Sequence, residues 1–296
     1  MKLIDTHFFI IGVPGRYRGA KLEENLIALG ASYERVDGID GQSLSNSAFE
    51  KVTDQKASKL LLGRELTKGE YGCANAHLAA YERVIDFDHK WAIVLEDDAM
   101  LSADFIDQLD QIDVEPNNAR VIQLYGIDVY RNQVRDYPWF LDFINRKSCE
   151  TNLVDIRQHW EYPERTHGYL INKAAAAIAV RTMKGNKNLT PADWPHEWRK
   201  FITFSISMYQ LVGLGSDNSI IESERTMSVR VSTLNRFVSL MFILIRFFNF
   251  RQQARNKLLL RCMISVLKSQ LLNVIYRFRR VALKLGIVKN PCENRG

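Results

Sequence analysis

Trp91-Ala-Ile-Val-Leu-Glu-Asp-Asp-Ala-Met100 is the stretch on which the reading of this chain turns. Four apolar residues, 92–95, run without a break into Glu96, Asp97 and Asp98. An unbroken apolar run of that length predicts a strand buried on both faces, the kind found in parallel sheets. Ligands of open α/β sheets sit beyond the carboxyl ends of the strands, so the acids fall where chemistry is expected. Three adjacent carboxylates repel one another. A hard divalent cation, Mn²⁺ or Mg²⁺, would offset that repulsion and accept a substrate phosphate as a further ligand. A solvated acidic turn after a strand is the plain alternative.

Toward the N-terminus, residues 8–13 form a second apolar run, expected as the first parallel strand. Gly12-Val-Pro-Gly15 breaks it, and a helix follows to about Leu29, closed by Gly30. The glycines do not spell G-x-G-x-x-G, which disfavours a nicotinamide cofactor. Arg16, Arg18 and Lys21 come just after the strand, where basic side chains either meet a diphosphate or solvate a helix face. Residues 32–36 predict the second strand, ending in Asp37-Gly-Ile-Asp-Gly41. Glycine and aspartate make a tight turn there. Asp37 is the candidate to reach a ribose or base, and Asp40 is assigned to the turn. Residues 42–66 are polar and irregular with a helical patch. Thr67-Lys-Gly-Glu70 is a capping box that opens a helix to about Ile85. Gly72 costs that helix about 1 kcal/mol against alanine, so something should pack close to it. His77, taken alone, reads as a structural histidine.

Toward the C-terminus, residues 102–109 predict a short helix, 120–125 a buried strand, 168–171 a short strand and 173–183 an alanine-rich helix. Residues 126–165 are rich in Trp, Tyr, Arg and Asp without periodicity, as binding loops or lids are. Aromatic rings suit the apolar faces of sugars. Asp193, between Pro191 and Trp194, is a candidate for chemistry and equally for a helix cap.

Composition is that of a globular protein: 296 residues, 46% hydrophobic and 25% charged. Cys73, Cys149, Cys262 and Cys292 are scattered without metal-ligand spacing, which fits a reducing compartment and no disulfide framework. The first apolar stretch is too short to span a membrane and no cleavage site follows it, so the body is expected in the cytoplasm. Residues 235–296 hold 13 Lys and Arg and one acid, Glu293, a balance of +12 that leaves −6 for residues 1–234. An acidic body joined to a basic apolar tail argues for two parts with different partners.

Three stretches together resemble glycosyltransferase family 25, the lipooligosaccharide and procollagen galactosyltransferase group. Leu66-Thr-Lys-Gly-Glu-Tyr-Gly-Cys-Ala-Asn-Ala-His77 is similar to that family's L-T-x-G-E-x-G-C-x-x-S-H segment. Ile93-Val-Leu-Glu-Asp-Asp98 is similar to its I-L-E-D-D strand end. Gly168-Tyr-Leu-Ile-Asn-Lys-Ala-Ala175, with Pro191-Ala-Asp193 downstream, is similar to its A-Y-L-I-S-x-x-G-A and P-x-D elements, and residues 36–41 to its acidic-glycine turn. Ala76 departs from the family's serine, and Gly168 from its alanine. The likeness covers roughly residues 5–200. It implies an A-type glycosyltransferase fold, Rossmann-like α/β with a mostly parallel sheet, within a domain of residues 1–234. It further implies UDP-galactose as donor and transfer with inversion to a lipooligosaccharide or related glycan. On this likeness Asp98 and Glu96 hold the metal, Asp97 lies at the donor and Glu70 and His77 join the site; Arg16 and Asp37, read from their own positions, are the further candidates to contact the donor. Asp193 is the expected general base, with Asp217 next.

The tail is argued apart from the family. Residues 237–245 are too few to cross a bilayer, while Leu259, Met263, Val266, Leu267, Val274, Phe278, Val281 and Leu285 recur at helical spacing. Arg261, Lys268, Arg279 and Arg280 fall mainly elsewhere around that helix, as in helices lying among anionic headgroups. Residues 235–296 are therefore expected as a basic amphipathic membrane-association region, peripheral on the inner face of the cytoplasmic membrane. Packing onto the acidic body or a second subunit is the alternative. Two rival functions stay open: a non-enzymatic binder of anionic surfaces, and a metal-dependent nucleotidyltransferase. No nucleic-acid motif is present, and nucleic acid is not an expected partner.

Overall fold

The computed structural model describes residues 3–62, 64–126, 152–156, 166–184, 192, 198 and 201–215. Asp193, Asp217, most of the expected binding loops at 126–165 and the basic tail at 235–296 lie outside the described residues.

The strands are β1 (Thr6–Gly12), β2 (Tyr33–Asp37), β3 (Trp91–Glu96), β4 (Ala99–Leu101), β5 (Arg120–Gln123), β6 (Leu153–Ile156), β7 (Gly168–Asn172), β8 (Thr203–Ser207) and β9 (Val212–Leu214). The helices are α1 (Ala20–Ala28), α2 (Asn46–Val52), α3 (Gln55–Leu62), α4 (Lys68–Asp86), α5 (Phe105–Asp110) and α6 (Lys173–Met183). Seven strands make one sheet in the order β2-β1-β3-β7-β5-β8-β6, and β4 pairs with β9 in a separate ribbon. Strand β1 runs parallel to β2 and β3, and β5 parallel to β8; β7 is antiparallel to β3 and β5, and β6 to β8. Five strands thus point one way and two the other, a mostly parallel sheet as expected. One detail differs: β3 has a parallel neighbour on one side and an antiparallel one on the other. Cover on both faces, not strand direction, is what makes a strand apolar throughout.

That cover comes in two layers, sorted by the alternation of side chains along each strand. Phe8 and Ile10 enter a core with Leu22 and Leu26 of α1 and Phe105 and Leu109 of α5. Phe9 and Ile11 enter another with Ala80 and Val84 of α4 and Ala175, Ala176 and Ala179 of α6. The capping box opens α4 as predicted: Thr67 Oγ1 accepts from the Glu70 N–H at 3.2 Å, and the Glu70 carboxylate accepts from the Thr67 N–H at 3.0 Å. Helix α6 starts at Asn172, whose Oδ1 accepts from the Ala175 N–H at 3.0 Å and from the Arg120 N–H at 3.1 Å. One side chain thereby caps the helix and ties it to β5. Residues 42–66, read as irregular with a helical patch, contain two short helices, the first capped by Ser45 through the Ala48 N–H. Strand β6 lies within residues read as loop. At four residues it is too short to display a period.

The end of β1 away from the acids carries a buried histidine. His7 is 4% exposed, its Nδ1 is 2.9 Å from Ser32 Oγ and its ring lies 4.0 Å from that of Phe87. Burial, with His89 nearby, lowers its pKa from 6.5 to about 4. A histidine lowered on folding contributes stability above pH 6.5, and that stability is lost as pH falls toward 4. Urea unfolding at pH 7 and pH 4.5 should show this site losing about 2–3 kcal/mol. His7→Phe removes the titration while keeping a ring against Phe87, so the variant's pH slope over that window should be visibly smaller. Equal slopes would assign the acid sensitivity to other groups.

Candidate active site

The carboxyl ends of β1, β2 and β3 meet the first turns of α4 around an open cleft. It is lined by Gly12, Arg16 and Arg18 after β1, by residues 39–42 after β2, by Gly69, Gly72, Cys73 and Ala76 of α4, and by Glu96, Asp97 and Asp98 after β3. Its volume, open mouth and the solvent in it included, is about 800 Å³.

Missing side chains let the turn after β2 lie directly on α4. A Cβ on Gly41 would sit 1.8 Å from the Lys68 carbonyl oxygen, and one on Gly72 would sit 2.6 Å from the Ile39 carbonyl oxygen. The close neighbour expected of Gly72 is therefore the acidic-glycine turn itself. A Cβ on Gly38 would lie 2.5 Å from that of Ala76, so the alanine in place of the family's serine borders this contact. Asp40 Oδ1 accepts from the Gln42 N–H at 3.0 Å and caps the short turn of 3-10 helix Gly41–Ser43, which confirms its turn role while leaving it on the cleft wall.

The three acids divide between two groups of partners. Arg18 holds Asp97 by both oxygens: its N–H donates to Oδ2 at 3.0 Å and its Nη2 to Oδ1 at 3.2 Å. The same Nη2 donates to Asp98 Oδ2 at 2.9 Å. The protein itself thus supplies positive charge between the two aspartates. Asp98 Oδ1 remains buried without a hydrogen-bond partner. Burial, then the charge of Glu96, pushes the Asp98 carboxyl up, and Arg18 only partly reverses this. Asp97 and Asp98 offer hard oxygen donors, and the orphaned Oδ1 fits a ligand of Mg²⁺ or Mn²⁺.

Glu96 belongs to the second group. Thr166 Oγ1 donates to its Oε1 at 2.7 Å; His77 Nε2 is 3.5 Å and His167 Nδ1 3.8 Å from that oxygen. Burial opposes its ionisation, but the neighbouring His167 and His77 outweigh that and hold it well below the usual carboxylate range. His77 is fully buried behind Glu96, with Nδ1 2.7 Å from Tyr169 Oη.

The remaining expected residues are placed as follows. Arg16 lines the cleft, with Nη2 3.9 Å from Asp40. Asp37 is an exposed carboxylate paired to Arg35 at 3.1 Å and does not line the cleft. Glu70 is buried, and its carboxylate is taken by the Thr67 N–H and by Arg64, whose Nη1 donates at 2.8 Å. Its place is therefore at the helix cap rather than on the cleft wall. Arg18 is one of the basic residues named after the first strand, and Cys73 was within reach of sequence reasoning, since it sits in the Leu66–His77 segment. Thr166, His167 and the β4–β9 ribbon were not: the Gly215 N–H donates to the Asp98 carbonyl at 2.9 Å, from more than a hundred residues away.

A mostly parallel α/β sheet whose switch-point cleft presents arginines and aspartates is suited to anionic, phosphate-bearing ligands. Residues 5–193 match the family described as glycosyltransferase family 25 (LPS biosynthesis protein), and the chain belongs to that family. A glycosyltransferase 25 family member of Aedes aegypti is 26% identical over 196 residues, covering 64% of this chain and 30% of that protein. One of Drosophila pseudoobscura pseudoobscura is 24% identical over 203 residues, covering 65% and 29%. The chain therefore spans about a third of the length of these relatives. A solved glycosyltransferase involved in the glycosylation of the major capsid of PBCV-1 shares 12% identity at a TM-score of 0.29, covering 60% of this chain and 65% of that one.

Proposed function

We propose that the protein transfers a hexose, galactose from UDP-galactose in the first instance, to a lipooligosaccharide or related glycan with inversion at the anomeric carbon. The observation that carries this reading is Arg18 bridging Asp97 and Asp98 in a cleft at the ends of β1, β2 and β3, in a chain of this family. An acceptor hydroxyl attacks the anomeric carbon; the new glycosidic C–O bond forms as the bond to the diphosphate oxygen breaks and its electron pair leaves with UDP. A carboxylate takes the hydroxyl proton. Asp193 is proposed for that role and Asp217, two residues beyond Gly215, as the second candidate. Arg16 and Arg18 face the charge that develops on the leaving group. Asp40 and Gln42 offer polar contacts to the nucleoside side of the donor. A divalent cation, Mn²⁺ or Mg²⁺, held by Asp98 would neutralise the departing diphosphate; Glu96, the expected second ligand, accepts from Thr166 Oγ1 and lies beside His77 and His167 instead.

The test is release of UDP from UDP-galactose by the purified protein, with a glycan acceptor and Mn²⁺. Release should stop in EDTA and return with Mn²⁺. No release from any UDP-sugar would overturn the reading in favour of a binding protein, and pyrophosphate release from a nucleoside triphosphate would indicate nucleotidyl transfer.

Among the described residues no helix is long and apolar enough to cross a membrane. The tail at 235–296 is proposed to hold the enzyme on the inner, anionic leaflet beside a glycolipid acceptor, each Lys or Arg near the surface contributing about 1 kcal/mol. Truncation after Thr233 should release the protein from anionic vesicles at low salt and preserve activity on a short soluble acceptor. Unfolding of the truncated protein would assign the tail to the body.

A further inference from the structure

We propose that Cys73, His77 and Glu96 form a site for a zinc-class divalent cation, separate from the Asp97–Asp98 pair and with one coordination position open to the cleft. Cys73 and His77 are four residues apart on α4 and so share a face of the helix. The end of β3 brings Glu96 to that face. One ligand atom from each of the three side chains lies within 4.8 Å of the other two.

Several features distinguish this cluster from a set of satisfied polar groups. Tyr169 Oη lies 2.7 Å from His77 Nδ1 and 3.0 Å from Tyr81 Oη. That contact holds the ring with Nε2 toward Glu96. An outer hydrogen bond of this kind is what orients a ligating histidine. Nε2 is fully buried and has no hydrogen-bond partner, although Glu96 Oε1 is 3.5 Å away. A cation between Nε2 and the Glu96 carboxylate would give both a partner. Thr166, His77 and His167 all meet Glu96 at Oε1, which leaves Oε2 for a ligand.

The donor set determines the kind of ion. Thiolate and imidazole favour Zn²⁺ or Co²⁺, whereas Mg²⁺ and Mn²⁺ prefer oxygen throughout. Tetrahedral zinc with bonds near 2.0–2.3 Å places its ligand atoms roughly 3.3–3.6 Å apart. The ligand atoms of Cys73, His77 and Glu96 lie within 4.8 Å of one another, so they would draw together on binding. Three protein ligands leave a fourth position, as open zinc sites do. Because Cys73 and Glu96 line the cleft, that position would take water or an oxygen of a bound molecule.

Titration of the metal-stripped full-length protein with Co²⁺ tests the assignment without any measure of transfer. One equivalent should give an intense near-ultraviolet thiolate-to-cobalt band with tetrahedral visible bands, and Zn²⁺ should abolish both by displacement. Cys73 is partly exposed, so Cys73→Ser should fold; it should lose the thiolate band and bind at least about tenfold more weakly. Asp98→Asn should keep the band. No thiolate band in the wild type, its persistence in Cys73→Ser, or its loss in Asp98→Asn would each overturn the proposal. The first would leave a hydrogen-bonded His77–Glu96 pair as the account of this cluster.

Discussion

Asp98→Asn is expected to lower sugar transfer by at least about 10²-fold, the scale on which removal of one preorganised charge contact acts in a water-poor site. Asparagine keeps the size of the side chain and an oxygen for Arg18 Nη2, now at 2.9 Å. It loses the charge, and it loses the second oxygen that is buried without a partner. The fold should survive, because the Asp98 main chain stays fixed by the Gly215 N–H at 2.9 Å. Thermal unfolding should therefore change little while the Mn²⁺ dependence of turnover disappears. Asp97→Asn should do less damage, since both of its oxygens already serve Arg18. Normal turnover with unchanged Mn²⁺ dependence in Asp98→Asn would remove this residue from the reaction.

Gly41→Ala is expected to be the most damaging small substitution in the cleft wall. Its Cβ would overlap the Lys68 carbonyl oxygen at 1.8 Å, and backbone cannot move aside as a side-chain tip can. Either the turn after β2 lifts from α4 or the first turn of the helix shifts, and overpacking of this sort costs about 1–3 kcal/mol. The larger effect should be on ligand affinity, since residues 39–42 line the cleft. UDP affinity should fall at least tenfold. Gly30→Asn is the control: Gly30 has φ +67° but open space around the missing Cβ, and asparagine tolerates that backbone. Its UDP affinity should match the wild type. An unperturbed melting temperature and UDP affinity in Gly41→Ala would mean that turn and helix are not in the contact described.

The chain announces most of its elements because local signals and burial agree. The capping box at Thr67 and Glu70 sets the start of α4, Gly30 closes α1, and the apolar runs at β1 and β3 mark the centre of the sheet. Short pieces are silent for the opposite reason. Strand β6, with four residues, and the β4–β9 ribbon, with three each, have too few positions to show a period, and pairing with distant segments holds them.

The site divides in the same way. That acids end β3, that basic residues follow β1, and that Gly72 must have a close neighbour all follow from local sequence and elementary electrostatics. Which acid meets which partner does not. Strand β3 stops at Glu96, and the next two residues turn, so side-chain alternation no longer says where Asp97 and Asp98 point. Contacts across the fold settle it: Arg18 from the β1 loop takes the aspartates, while Thr166, His167 and buried His77 take Glu96. Glu70 shows the same division, being a cap by its spacing and a buried ion-pair partner only because the fold brings Arg64 against it. Sequence by itself determined the elements and the inventory of charges, since those depend on neighbours along the chain. Tertiary structure alone decided their pairing, because an ionic or hydrogen-bonded partner is chosen by distance in space, and here most partners are tens of residues apart.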